Sequence, residues 1–172
     1  HIGIEKYLPS QAGMGGGSSD AASCLLALNR LWRLNLPQAR LMQLGLKLGA
    51  DVPFFIQGQN AWVEGIGEHI TPLTDAARLL PSTYAVIKPL AGVDTGQIFK
   101  SPNLKRDSNT ATIAGFAADQ KSFCNSARND LSDVARQICP DIEQAIEWLG
   151  SQGLNARMTG SGSAVFADLN ET

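Results

Sequence analysis

The hydrophobic positions change period as the chain proceeds, and each change marks an element. Ile2, Ile4 and Tyr7 stand in an alternating, strand-like run. Glycines and hydroxyls then take over in Leu8-Pro9-Ser10-Gln11-Ala12-Gly13-Met14-Gly15-Gly16-Gly17-Ser18-Ser19-Asp20, before Ala21, Cys24 or Leu25, Leu28 and Trp32 recur at helical spacing. This predicts a helix to about Arg33, with Ser18 or Ser19 as its N-cap and Asp20 in the first turn, where the helix dipole favours a carboxylate. Asn35-Leu36-Pro37 opens a second predicted helix with Leu41, Leu44 and Leu48 on one face and Gly49 as its stop. Val52 to Gln57 and Ala61 to Glu64, separated by Gly58-Gln59-Asn60, read as a β-hairpin, and Gly65-Ile66-Gly67-Glu68 then leads into His69-Ile70-Thr71-Pro72.

From Asp75 to Ser82 the pattern weakens, and a strand begins at Tyr84 to Pro89. A boundary near residue 82 follows, giving domains 1–82 and 83–172. The second has a short predicted helix at Thr95 to Phe99, a polar stretch from Ser101 to Asn109 without apolar period, and helices at 126–137 and 140–149. Pro140 starts the last of these, and Ile142, Ala145, Ile146 and Leu149 share one of its faces. Strands are predicted near Asn155 to Met158 and Ser163 to Asp168, and no internal repeat is evident.

Composition narrows the function. A chain of 172 residues buries roughly 70% of its unfolded surface, so no disulfide or metal is needed to hold it. Net charge is −2, which provides no basic footprint for nucleic acid or an anionic membrane, and no apolar run reaches the roughly 18 residues of a membrane span. The N-terminus lacks a signal-peptide layout, so a cytoplasmic location is expected. Cys24, Cys124 and Cys139 show no CxxC spacing and read as reduced, mostly buried thiols.

The strongest candidate chemistry is the run of glycines that opens the first helix. Unpaired N–H groups at a helix start, close approach over glycine and a favourable dipole make an anion site, with a nucleotide phosphate as its natural ligand. The lysine of GxxxxGK[ST] is missing, and a GxGxxG frame from Gly13 places Ser18 at its last glycine, so neither familiar phosphate loop applies. A merely flexible turn is the alternative. Asp51 sits between a helix stop and an apolar segment, where it suits either a general base or a turn or cap residue. Met158-Thr159-Gly160-Ser161-Gly162-Ser163 forms a second glycine and hydroxyl loop between strands, by itself as consistent with a hairpin turn as with a site. His1 and His69 have no ligand set around them for a metal centre or a Ser-His-Asp triad, and His69 reads as solvated. Phe99-Lys100 offers a ring beside a cation.

Taken in order, Leu8-Pro9, Ala12 to Ala22, Leu48-Gly49-Ala50-Asp51-Val52-Pro53-Phe54-Phe55 and Arg157 to Ala167 closely resemble the GHMP small-molecule kinases. The GADVPFF segment, the Gly65 to Glu68 turn and Thr95-Gly96-Gln97-Ile98-Phe99-Lys100 narrow the likeness to the members that act on a cytidine diphosphate-linked substrate. The resemblance implies an α+β, two-domain fold, with an N-terminal part like domain 2 of ribosomal protein S5 and a ferredoxin-like C-terminal part, here incomplete. It implies a transferase that moves the γ-phosphoryl of ATP, with Mg2+, to the 2-hydroxyl of a cytidine diphosphate-linked methylerythritol on the non-mevalonate route to isoprenoid precursors. Gly13, Gly15, Gly16, Gly17, Ser18 and Ser19 would wrap the phosphates, with Ser18 or Ser19 near the metal, and Lys6 would lie near the adenine. Asp51 matches the catalytic aspartate that accepts the hydroxyl proton. Thr95, Phe99 and Lys100 match positions around the cytidine, with Phe99 stacked on the base, and Gly160, Ser161 and Gly162 would approach phosphates and substrate. Alternatives are another GHMP kinase, for homoserine, mevalonate or a sugar, and a nucleotide-binding module without catalysis.

The chain opens at His1 inside a strand-like run and stops just after Leu169. The resemblance therefore implies preceding strands that carry a catalytic lysine and cytosine contacts, a further helix and strand at the end, and little turnover from these 172 residues alone.

Overall fold

The computed structural model describes residues 1–74, 79 and 81–170. Its packing divides into two compact units, one of His1–Leu8 with Gly15–Leu79 and one of Pro9–Met14 with Leu80–Thr172. The weakening pattern expected to mark a boundary falls largely on residues 75–78 and 80, outside those described.

In the first unit Ile2 to Tyr7 form no strand: they are open backbone with Ile2, Ile4 and Tyr7 well exposed, because no described strand lies alongside to take their hydrogen bonds. Helix α1 spans Gly16–Leu31. It begins three or four residues earlier than the hydroxyls suggest, because Gly15 at φ 67° is its N-cap and turns the chain into the helix, and so neither Ser18 nor Ser19 caps it and Asp20 lies beyond the first turn. Helix α2 is Gln38–Leu46, with Leu41 and Gly45 buried, while Leu48 lies past its end and is exposed. A Cβ on Gly45 would sit 2.8 Å from side-chain atoms of Ile56 and Val52, so the missing side chain is what lets α2 close on the next element.

That next element is helix α3, Val52–Gln57, where a strand of a hairpin was expected. Short apolar runs are ambiguous between the two states, and here Pro53 in the first turn and Gly58 at φ 71° as the stop favour a helix whose Val52, Pro53 and Ile56 are buried. Ala22, Leu41, Val52 and Ile56 form the core of this unit. The hairpin lies one segment later: β1 (Ala61–Glu64) pairs antiparallel with β2 (His69–Pro72) through the Gly65 to Glu68 turn.

The second unit holds β3 (Tyr84–Ile87), α4 (Thr95–Lys100), α5 (Ile113–Ala118), α6 (Gln120–Ser126), α7 (Ser132–Ile138), α8 (Asp141–Ser151), β4 (Ala156–Met158) and β5 (Val165–Asp168). The antiparallel sheet runs β3-β5-β4. Inward positions of its strands, Met158, Val165 and Ala167, pack with Ile142, Ala145 and Leu149 of α8 and with Ile98. Helices α5 and α6 had no counterpart in the hydrophobic pattern, yet each carries a cap: Thr112 accepts from the Gly115 N–H and Asp119 from the Ser122 N–H. Helix α7 starts at Ser132 rather than 126, because Asn129 turns the chain there by accepting from the Leu131 N–H.

Candidate active site

The first unit contributes the end of α1, where N–H groups of the opening turn have no partner within the helix. Gly15 needs its positive φ, and a Cβ on it would lie 2.7 Å from the Phe55 ring. Gly16 and Gly17 are different. A Cβ at Gly17 would meet nothing within 4 Å, and one at Gly16 would touch only the Lys6 Nζ at 3.5 Å. The chain's own packing therefore gives no reason for two glycines in a helix start, where each costs roughly 0.5–1 kcal/mol relative to alanine. Lys6 is held here by an ion pair of 2.5 Å with Asp20, which brings the expected adenine-side lysine and the opening turns of α1 together.

Asp51 stands at the N-cap position of α3 with a helical backbone, exposed, and its carboxylate makes no capping hydrogen bond. It is thus not spent on ending or starting a helix. The turn it occupies is held from a direction that the hydrophobic pattern does not reveal: Gly67, at φ 114°, lies so close to Ala50 that any Cβ would strike the Ala50 carbonyl. The Glu68 carboxylate fixes that turn by accepting from the Ile66 N–H at 2.6 Å. Its own N–H, that of Ile66 and the nearby His69 hold Glu68 below the usual glutamate range. His69 is solvated, as expected, and 3.6 Å from Glu68.

The second unit brings the other two parts of the motif set together. Gly13, at φ 68°, packs against the backbone of residues 159–162 so tightly that a Cβ would strike the Thr159 carbonyl and lie 2.7 Å from the Gly162 nitrogen. The Thr159 hydroxyl donates to the Gly13 carbonyl, and the Ser163 and Ala164 N–H groups donate to the carbonyls of Gln11 and Ala12. The turn between β4 and β5 is closed by the Gly162 N–H on the Thr159 carbonyl, and Ser161 shares a hydrogen bond of 2.7 Å with Thr95. Two residues that the sequence does not single out hold this loop. Asn129 donates its amide to the Met158 and Gly160 carbonyls at 3.1 and 2.8 Å, and the fully buried Ser163 donates to the Ala91 carbonyl at 2.6 Å. An Asn followed by Asp just before a helix was the available signal for the first.

Helix α4 is anchored by its fully buried Ile98, and the neighbouring Phe99 is 56% exposed, with Lys100 also outward. Phe99 therefore does not fill the core. An apolar ring held in solvent on an otherwise anchored helix is available for stacking. Lys100 adds a cation beside it.

The N-terminal domain of the GHMP kinases matches residues 1–59 and the C-terminal domain residues 113–169. The chain belongs to this family. It is 60% identical over its full length to the 4-diphosphocytidyl-2-C-methyl-D-erythritol kinase of Delftia acidovorans, of which it spans 59%. To the enzyme of the same name from Albidiferax ferrireducens it is 61% identical over 97% of this chain and 56% of that one. A crystal structure of 4-(cytidine 5'-diphospho)-2C-methyl-D-erythritol kinase superposes with a TM-score of 0.72 at 32% identity, covering 95% of this chain and 59% of the other. The chain thus spans less than two thirds of the length of these relatives. The mixed α and β architecture in two units is that of the GHMP kinase family.

A magnesium ion is implied by such a family. Among the described residues no group of three or more His, Cys, Asp or Glu stands ready to hold one. Near α1, Asp20 is occupied by Lys6, which leaves the Ser18 and Ser19 hydroxyls of the first turns as donors. That set fits an ion that arrives mainly on nucleotide phosphates, as magnesium commonly does.

Proposed function

We propose that this chain carries the phosphate loop, the proton acceptor and the cytidine-facing helix of a cytoplasmic kinase that moves the γ-phosphoryl of ATP to the 2-hydroxyl of 4-diphosphocytidyl-2-C-methyl-D-erythritol. The observation that carries the reading is the opening of α1, with Gly16 and Gly17 free of any packing demand beside unpaired N–H groups. These N–H groups bind and orient the phosphates, and their fixed dipoles offset the charge that builds up during transfer. Lys6 lies on the adenine side. Ser18 and Ser19 would hold a magnesium ion, which would supply neutralisation of phosphate charge. Asp51, uncommitted to any cap, accepts the proton of the attacking hydroxyl, while the rest of the rate comes from positioning.

In the other part of the site Gly160, Ser161 and Gly162 approach phosphates and substrate, supported by Asn129 and Ser163. Thr95, Phe99 and Lys100 receive the cytidine, the exposed Phe99 ring stacking on the base. The names of the relatives at about 60% identity support this acceptor over the others. We divide the chain into domains 1–82 and 83–172.

The test is an acceptor panel with the whole gene product and ATP. Phosphorylation of 4-diphosphocytidyl-2-C-methyl-D-erythritol at its 2-hydroxyl is expected. Preference for homoserine, mevalonate or a free sugar would overturn the acceptor, and binding of ATP without transfer to any of them would leave a nucleotide-binding module.

A further inference from the structure

Between the segment before α7 and the edge strand β4, a cavity of about 320 Å³ is lined by Arg128, Arg136 and Arg157 together with Ser132, Asn129 and Phe166. No Asp or Glu lines it, in a chain whose net charge is −2. The three arginines are not equally satisfied. Arg136 pairs through its Nε with Glu143 and lies 3.8 Å from Asp133. Arg157 gives one guanidinium nitrogen to the Cys124 carbonyl and stands over Phe166, its Cζ 5.3 Å from the ring centroid, but its Nε is buried with no hydrogen-bond partner among the described residues. Arg128 is exposed and makes no ion pair among the described residues.

Arg128 thus has no carboxylate partner among the described residues, while Arg157 has no ion pair there, only Asp168 within electrostatic reach, and holds a buried donor unmade. A buried unmade donor is costly, and like charges gathered around one cavity repel. A bound anion removes both penalties, and the planar fork of arginine matches phosphate oxygens. The volume lies at the lower end of small-ligand sites, and Phe166, Ile146 and Met158 give the cavity an apolar wall. We propose that this cavity is a second anion site, built for a small phosphate or diphosphate ester with a short apolar tail. None of its three arginines belongs to the residues placed around the nucleotide or the acceptor, although Asn129, which holds the Gly160 loop, also lines it.

The test is calorimetric titration of the whole gene product with inorganic pyrophosphate, made in a Gly16→Val background so that the glycine loop of α1 does not compete. Binding is expected there, and Arg128→Gln, a change at an exposed side chain, should weaken it by roughly tenfold or more. n-Pentyl diphosphate should bind at least about fivefold tighter than pyrophosphate through its buried methylenes. Absence of pyrophosphate binding in the Gly16→Val background, or binding that Arg128→Gln leaves unchanged, would overturn the site, and equal affinity for both probes would overturn the apolar tail. Because the nucleotide loop is disabled throughout, a failure here is distinct from a failure of the kinase reading, which the acceptor panel decides.

Discussion

Gly13 and Gly17 lie four residues apart in one glycine-rich run and serve different masters. Gly13 has a left-handed backbone and is pressed against the 159–162 loop, and Gly160 repeats the arrangement from the other side, its Cβ position 2.7 Å from the Gly13 carbonyl. Gly17 has an ordinary helical backbone and empty space where its side chain would be. The first glycine is demanded by the protein's own packing; the second is demanded by nothing among the described residues. The same division separates Gly67, wedged against Ala50, from Asp51 beside it, whose carboxylate caps nothing, and buried Ile98 from exposed Phe99. Residues of the first kind hold the surrounding turns in shape, and those of the second kind are the ones we propose face ligand.

Substitutions in the two groups should therefore separate cleanly into losses of stability and losses of activity. The largest effect is expected from Asp51→Asn in the whole gene product: a fall in turnover of roughly 10²- to 10⁴-fold with an unchanged melting temperature, because no capping bond is lost. Near-normal turnover with a lowered melting temperature would return Asp51 to the packing group. Next comes Phe99→Ala, which should raise the Michaelis constant for the cytidylyl substrate by roughly 5- to 150-fold while leaving that for ATP and the melting temperature nearly alone. A drop in stability affecting both substrates alike would mean that the exposed ring is structural after all.

A pair of alanine variants sharpens the contrast within the loop itself. Gly13→Ala forces a side chain into the left-handed region, at about 1–2 kcal/mol before the clash with Thr159 is counted, and should lower the melting temperature by several degrees. Gly17→Ala should hold or slightly raise it, since alanine is the better helix former. Equal losses in the two variants would erase the distinction. The smallest effect concerns the turn under Asp51. Glu68 is held below its ordinary value of 4.5 by backbone N–H groups, so its contribution is present above that value and is lost as pH falls through the lower folded-state value. Acid titration of stability should accordingly flatten in this window in Glu68→Gln, and an identical acid profile in both proteins would show that the turn does not depend on the carboxylate.

How much of this was legible in the sequence follows from the same division. The glycine run, Asp51 and the Phe99-Lys100 pair were visible because they break the local hydrophobic rules without a local excuse. The early start of α1 was hidden because Ser18 and Ser19 look like caps, while the left-handed turn at Gly15 that opens the helix leaves no mark in a run of glycines. Helix α3 was hidden because a short run of five apolar residues, Val52 to Ile56, suits a buried strand or a helix equally, until Leu41, Gly45 and α1 are there to pack against it. Asn129 and Ser163 could not be read at all as supports of the second loop, since their partners lie 29 to 31 and 72 residues away.

The most direct test of the central claim, that the opening of α1 is kept clear for a phosphate, is nucleotide affinity in Gly16→Val of the whole gene product, measured beside a melting curve. A Cβ added there meets only the Lys6 amino group, at 3.5 Å among the described residues, so the fold should stand and the melting temperature should not fall. The ATP requirement should rise severely, because the branched side chain occupies the path by which phosphate reaches the N–H groups. Unchanged ATP affinity in a folded Gly16→Val protein would contradict the account.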